Sequence, residues 1–341
     1  MEKRDPEIIT EKELMRTWSR FMRAQGKIIG LVPTMGYLHQ GHISLIEEAR
    51  KYTDLLVVSI YVNPGQFSPT EDLSTYPSDF RGDIDKLTAL PGGVDVVFHP
   101  QNLYDYRNNG SESGDNDTSS GATRRNNNSG DAKEEGREEA VMSCIERQSG
   151  NAHETWIRVE RLERGLCGKS RPVFFRGVAT VVAKLFNIVE PDVAVFGKKD
   201  YQQWRVIRRM VRDLDFPINV IGSEIVRDDD GLALSSRNVR LSTEEREKAL
   251  SINMSLSRAK IAAQNGQVSC SDLRNSVIQA IQEAGGKVDY AEIVSQENLE
   301  AVEEIKSPVV FSVAAWFGKV RLIDNMEIDV RVQHVNTQVW T

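Results

Sequence analysis

Cysteine is scarce in this chain. Cys144, Cys167 and Cys270 are the only three, widely separated and with no C-x-x-C pair. That excludes a disulfide framework and a zinc ribbon, and it fits a reducing compartment. Each thiol reads as a small hydrophobe. No apolar run approaches the roughly 18 residues of a membrane-spanning helix, so no membrane partner is expected. Positive charge is not in surplus: 43 Lys and Arg against 50 Asp and Glu leave a net charge of -7, which is no footprint for nucleic acid. The opening "MEKRDPEIITEKELM" mixes acids and bases early and lacks an apolar stretch, unlike a signal or transit peptide. A cytosolic (cytoplasmic) protein is the expectation.

What is present reads as two domains, 1–221 and 222–341, since 341 residues can bury two cores. "KIIGLVP", "DLLVVSIYV", "VDVVFHP", "DVAVFG" and "INVIG" are apolar nearly throughout, as parallel strands covered on both faces are. Amphipathic stretches at 43–52, 177–189 and 200–214 alternate with them. An α/β, doubly wound parallel sheet (Rossmann-like) follows, with its ligand crevice at the carboxyl ends of the strands. Residues 107–155 interrupt the pattern with Asn, Ser, Gly, Asp and Glu, and read as a surface insertion, disordered or loosely helical towards its end. Beyond Gly222 a hairpin-like turn at Asp230-Gly231 precedes a helix whose Ser242 and Glu245 have capping-box spacing. A helix around 271–284 and strands at 288–294, 308–317 and 319–324 complete a smaller α+β domain.

The stretch "PTMGYLHQGH", 33–42, lies between the first apolar run and a helix-like run. Gly36 and Gly41 have P-loop spacing, but His42 and Ile43 stand where a Walker motif needs Lys and Ser or Thr. G-x-G-x-x-G fails as well. What remains is a turn whose backbone N–H groups and helix N-terminus point at an anion, helped by two imidazoles, His39 and His42, one helical turn apart. H-x-x-H suggests zinc, but no third ligand lies at suitable spacing.

Two later strands also end in polar motifs. "SIYVNPGQF", 59–67, places the amides of Asn63 and Gln66 at the crevice. "FGKKDYQQW", 196–204, sets Lys199 and Asp200 at a helix N-terminus, where a phosphate is favoured, with Gln203 one turn on. Arg205, Arg208 and Arg209 read as an exposed face. In "DGLALSSRN", 230–238, two hydroxyls and a guanidinium suit a phosphate, and no triad partner lies near Ser235 or Ser236.

T-M-G-x-L-H-x-G-H resembles the signature of the HIGH-type nucleotidylyltransferase superfamily. With "VNPGQFSPTEDLSTYP", "FFRGVATVVAKLF", "FGKKDYQQ" and "DGLALSSRN" in this order, residues 8–327 resemble the pantothenate synthetase (pantoate–β-alanine ligase) family, in its plant type with a polar insert. The resemblance implies a ligase that joins pantoate to β-alanine with ATP and Mg2+ through a pantoyl-adenylate, and a homodimer formed through the larger domain. It implies an ATP site from Met35, Gly36, His39, Gly41, His42, Gly197, Lys199, Asp200, Val226, Leu234, Ser235, Ser236 and Arg237. Of these, His42 above all, with His39, Lys199, Ser235, Ser236 and Arg237, would act in catalysis. Gln66 and Gln203, with Asn63 beside them, would bind pantoate, and Asp83 falls where a magnesium-binding aspartate lies.

Three positions depart from the family pattern. Gly65 replaces methionine, which would loosen the wall beside Gln66. Lys198 replaces glutamate, adding charge close to the phosphates. Phe174 replaces histidine and removes any polar role there. Two other functions fit parts of the sequence: another adenylate-forming enzyme with a different acid or acceptor, and a non-catalytic ATP-binding scaffold. The two glutamines speak against the first and the intact charged set against the second.

Overall fold

The computed structural model describes residues 5–104, 142–146 and 153–329. Six parallel strands form the larger sheet: β1 (Glu7–Ile9), β2 (Ile29–Thr34), β3 (Leu55–Ile60), β4 (Val96–Phe98), β5 (Val193–Gly197) and β6 (Asn219–Ser223), in the order β1-β4-β3-β2-β5-β6. Alternate residues along each strand serve opposite faces. Leu31, Val57 and Val96 join α1 (Lys12–Ala24), α5 (Phe174–Val189) and α6 (Tyr201–Asp213) in one core. Val32, Val58 and Val97 join α2 (Gln40–Arg50) and α3 (Phe80–Thr88) in the other. Burial on both faces is why these strands read as unbroken apolar runs.

The strand order reverses between β2 and β5. At such a switch point the connections leave in opposite directions and open a crevice beyond the strand ends. The histidine turn follows β2 there, and Lys198–Asp200 follows β5. Helix α5 runs alongside with thirteen of its sixteen residues buried. Its Gly177 lets the helix approach the 63–67 turn, because a Cβ there would lie 2.1 Å from the Gly65 carbonyl oxygen.

The second sheet is antiparallel: β7 (Lys287–Ser295), β8 (Val309–Phe317) and β9 (Val320–Ile328), backed by α7 (Thr243–Gln264) and α8 (Cys270–Glu283). Leu256, Val277, Phe311 and Phe317 lie at the centre of its core. The capping box forms as the spacing predicts: Glu245 N–H donates to Ser242 Oγ at 3.1 Å, and Ser242 N–H to Glu245 Oε2 at 2.9 Å. Helices α1 and α3 and strand β1 were not expected from the pattern, and β9 runs four residues past the expected end. The short helix α4 (Cys167–Ser170) precedes α5.

Most of the predicted insertion lies outside the described residues. Within its described part Ser143 and Ile145 are buried, and Ile145 packs against Gly65 in the turn that follows β3. Among the described residues, no helix is long and apolar enough to cross a membrane.

Candidate active site

The ends of β2, β3 and β5 and the loop 224–240 surround one cavity of about 800 Å³. Met35, His39, Gly41 and His42 line it from β2, Asn63 and Gln66 from β3, and Gly197, Lys199, Asp200 and Gln203 from β5 and α6. Val226, Leu234, Ser235, Ser236 and Arg237 line it from the loop. Gly36 and Asp83 are the two expected site residues outside its wall.

Two successive backbone N–H groups of the histidine turn, those of Tyr37 and Leu38, do not point at the cavity. Gly36 (φ +81°) and Tyr37 (φ 52°) are both left-handed, which turns successive amides towards one point. The Asp83 carboxylate occupies that point, accepting from Tyr37 N–H at 2.7 Å and Leu38 N–H at 2.6 Å. An internal anion therefore fills the cradle expected for phosphate. Burial raises the Asp83 carboxyl above its usual range despite these two bonds.

The imidazoles cap α2. His39 Nδ1 accepts from Gly41 N–H at 3.1 Å, and His42 Nδ1 accepts from His39 N–H at 3.3 Å. An Nδ1 that accepts leaves the ring proton on Nε2. Each ring thus keeps one N–H donor beyond its capping bond. Burial, then Lys199, pushes His39 down to about 4; burial, then His39, pushes His42 down to about 3. Both are neutral donors near neutral pH.

Asn63 is almost fully buried, and its amide is committed. Its Oδ1 accepts from Tyr104 Oη at 2.8 Å and Gly65 N–H at 3.2 Å, while Nδ2 donates to Gln66 Oε1 at 3.0 Å and Gly177 O at 3.1 Å. It positions Gln66 more than it offers a ligand anything. With its carbonyl held, Gln66 presents its amide nitrogen, which donates to Met35 Sδ at 3.2 Å. The neighbouring glutamines of α6 divide in the same way. Gln202 is buried and bonded to Leu162 O, Gly165 O and Cys167 N, whereas Gln203 lines the cavity.

Lys199 has no ion-pair partner among the described residues, and its charge depresses both imidazoles. Lys198 does not add charge to the cavity. Its ammonium lies between Glu224 (2.6 Å) and Glu327 (2.8 Å), whose carboxylates raise its pKa against the effect of burial. Nor does Gly65 loosen the wall, because Ile145 fills the space a side chain would take. Phe174 is a wall residue, with the Arg171 guanidinium 3.9 Å above its ring. Arg205 is not part of an exposed face: it is buried and ion-paired with Glu297, because α6 packs this side against the loop after β7.

The sequence reading missed several wall residues. Asp72 accepts from Arg237 (3.2 Å) and Arg240 (2.7 Å), which hold its carboxyl below the usual range against the effect of burial. Arg171 pairs with Glu71, and Arg321 with Asp289 at 2.7 Å. These contacts join chain segments that no local spacing relates. The quoted run "EDLSTYP" contains Asp72 and was the one available signal.

A family model described as pantoate-beta-alanine ligase matches residues 7–327. The pantoate--beta-alanine ligase of Lotus japonicus is 65% identical over 325 residues, covering 95% of this chain and 99% of that protein. Pantothenate synthetase from Thermus thermophilus superposes with a TM-score of 0.74 at 35% identity, over 94% of this chain and 98% of that one. Pantoate-beta-alanine ligase from Francisella tularensis, complexed with beta-gamma ATP and beta-alanine, gives 0.65 at 30% identity, over 94% and 97%.

Proposed function

The chain belongs to the pantoate–β-alanine ligase family, and we propose that it joins pantoate to β-alanine with ATP, through a pantoyl-adenylate. One observation carries the assignment of roles. Neutral imidazole donors and Lys199, which has no ion-pair partner among the described residues, border the same cavity as two amide side chains, Gln66 and Gln203. One group suits a triphosphate and the other a small hydroxy acid.

Pantoate's carboxylate is ionised at neutral pH, so the first step needs no general base. A carboxylate oxygen attacks the α-phosphorus, the bond to the β-phosphate oxygen breaks, and pyrophosphate leaves. In the second step β-alanine's free amine attacks the acyl carbon and AMP departs. Catalysis is alignment and charge stabilisation. In our reading Gln66 and Gln203 hold pantoate, while His39, His42, Lys199, Ser235, Ser236 and Arg237 meet the phosphates. Met35, Gly197, Val226 and Leu234 border the nucleotide. The imidazoles cannot take the amine proton in this arrangement, because their basic nitrogens cap α2.

Magnesium belongs to the same proposal. Among the described residues no group of three or more His, Cys, Asp or Glu forms a metal cage. Magnesium, however, is usually held by one or two carboxylates plus the phosphates of its nucleotide. Glu71, Asp72, Glu224, Asp289 and Asp324 on the wall are all ion-paired. Asp200 has no such partner among the described residues, so we assign it, and not Asp83, to magnesium carried in with ATP. The ion would neutralise phosphate charge. A homodimer, which rests on the family resemblance, and a cytosolic location, which rests on the sparse cysteines and the opening segment, complete the reading.

The test is pantoate-dependent exchange of labelled pyrophosphate into ATP with β-alanine omitted. His42→Ala should lower the exchange on the order of 100-fold or more, the usual effect of losing one such donor. Absence of exchange at every magnesium and pantoate concentration would overturn the adenylate route.

A further inference from the structure

The Gln66 turn has an unusual support on the side away from the cavity. A Cβ added to Gly65 would lie 2.9 Å from Ile145 Cδ1 and 3.3 Å from Tyr104 Oη. Ile145 is 2% exposed, and its Cδ1 is the atom nearest to where that Cβ would sit. Its short segment is anchored: Cys144 N–H donates to Phe67 O at 2.9 Å, and Glu146 pairs with Arg176 of α5 at 2.7 Å. The turn is therefore held between α5, through Gly177, and residues 143–146.

We propose that Ile145 is a positioning residue for the acid substrate. It stands in for the side chain missing at Gly65 and sets the Asn63–Gln66 pair, so the end of the polar insertion is a working part of the pantoate subsite. This rests on the reading above that Gln66 binds pantoate. The path is short. Ile145 abuts Gly65, whose N–H bonds Asn63 Oδ1, and Asn63 Nδ2 holds Gln66 Oε1. A void at 145 frees the turn to shift towards it, and a displacement near 1 Å of a positioned group can cost on the order of 100-fold in rate. The phosphate side has a separate support, since the imidazoles are fixed by α2 and their own turn.

Three full-length variants test this: Ile145→Ala, Gly65→Met and the double variant. In the pyrophosphate exchange assay, Ile145→Ala should raise the KM for pantoate on the order of tenfold and leave that for ATP within about twofold. Gly65→Met alone should also be impaired, because its side chain enters space Ile145 fills. The double variant, with the larger residue moved across the contact, should recover most of the pantoate KM. An unchanged pantoate KM in Ile145→Ala, an equal rise for both substrates, or a double variant no better than the worse single one would overturn the proposal. Melting temperatures without ligand decide the steric part independently: both single variants should melt lower and the double higher than either. A parent protein that exchanges no pyrophosphate would instead refute the ligase reading, and additive melting shifts would then overturn the exchange of 65 for 145.

Discussion

Replacing Asp83 separates two roles for one carboxylate, clamp of the histidine turn or magnesium ligand. Both oxygens accept backbone N–H groups at 2.6 and 2.7 Å, and the residue is 1% exposed. In Asp83→Ala the buried Leu38 donor is left unmet, which costs about 1–3 kcal/mol, and the half-buried Tyr37 donor costs less because water can reach it. Tyr37 also loses a contact that holds it at φ 52°. The two unmet donors together give about 3 kcal/mol, or a melting temperature lower by about 4 °C for a chain of this size. Asp83→Asn keeps one acceptor and removes a buried charge, so its loss should be about 1 kcal/mol. Thermal unfolding by circular dichroism reads the stability, and magnesium titration of the exchange reaction reads the metal. An unchanged melting temperature together with a magnesium requirement raised tenfold or more would refute the clamp and restore Asp83 as a ligand.

Two further predictions concern charge. His39 and His42 titrate at about 4 and about 3 in the fold, below the roughly 6.5 of an unfolded histidine, so the unfolded chain binds more protons between these values. Their contribution to stability should be complete above about pH 6.5 and be lost as pH falls towards 4 and then 3. Melting temperature against pH checks this, and an exchange-rate inflection near pH 6.5 that vanishes in His39→Asn would refute neutral donors. Lys198→Met should leave Glu327 without its cation and cost about 2 kcal/mol in a thermal melt, with the KM for ATP within about twofold. Lys199→Met should do the reverse, and a loss of ATP affinity in the Lys198 variant would place its charge in the cavity after all.

The central strands were legible because burial on both faces leaves them apolar at every position. Helix α1 was not, since Leu14 and Phe21 face outwards and only Met15 and Ser19 are buried. The far half of β9 was missed because Asp324 and Asn325 are buried and polar, satisfied by Arg227, Lys198 and Lys199 from distant segments. The site shows the same division. Motifs directly after an apolar run announce their position, so His39, Gln66 and Lys199 were found. What each atom does was hidden. The motif put Asn63 at the ligand and the family resemblance put Asp83 at the metal; in the fold Asn63 bonds Gln66, and Asp83 accepts from two backbone amides. Lys198 was misread because the carboxylate of Glu327 lies 129 residues away in sequence.

Asn325 ties the two halves together at one point. Its side-chain amide donates to the carbonyls of Lys198 at 2.8 Å and Lys199 at 3.0 Å, so the three-stranded sheet holds the backbone of the turn that carries Lys199. The larger sheet supplies the lysine and the smaller unit fixes where it stands. A fragment ending near residue 221 would keep both imidazoles, both glutamines and the lysine itself and still lack the two bonds that hold the lysine's backbone. For anyone dividing this chain, whether to express its halves separately or to graft one onto another partner, the break removes an alignment that no residue in the retained half encodes.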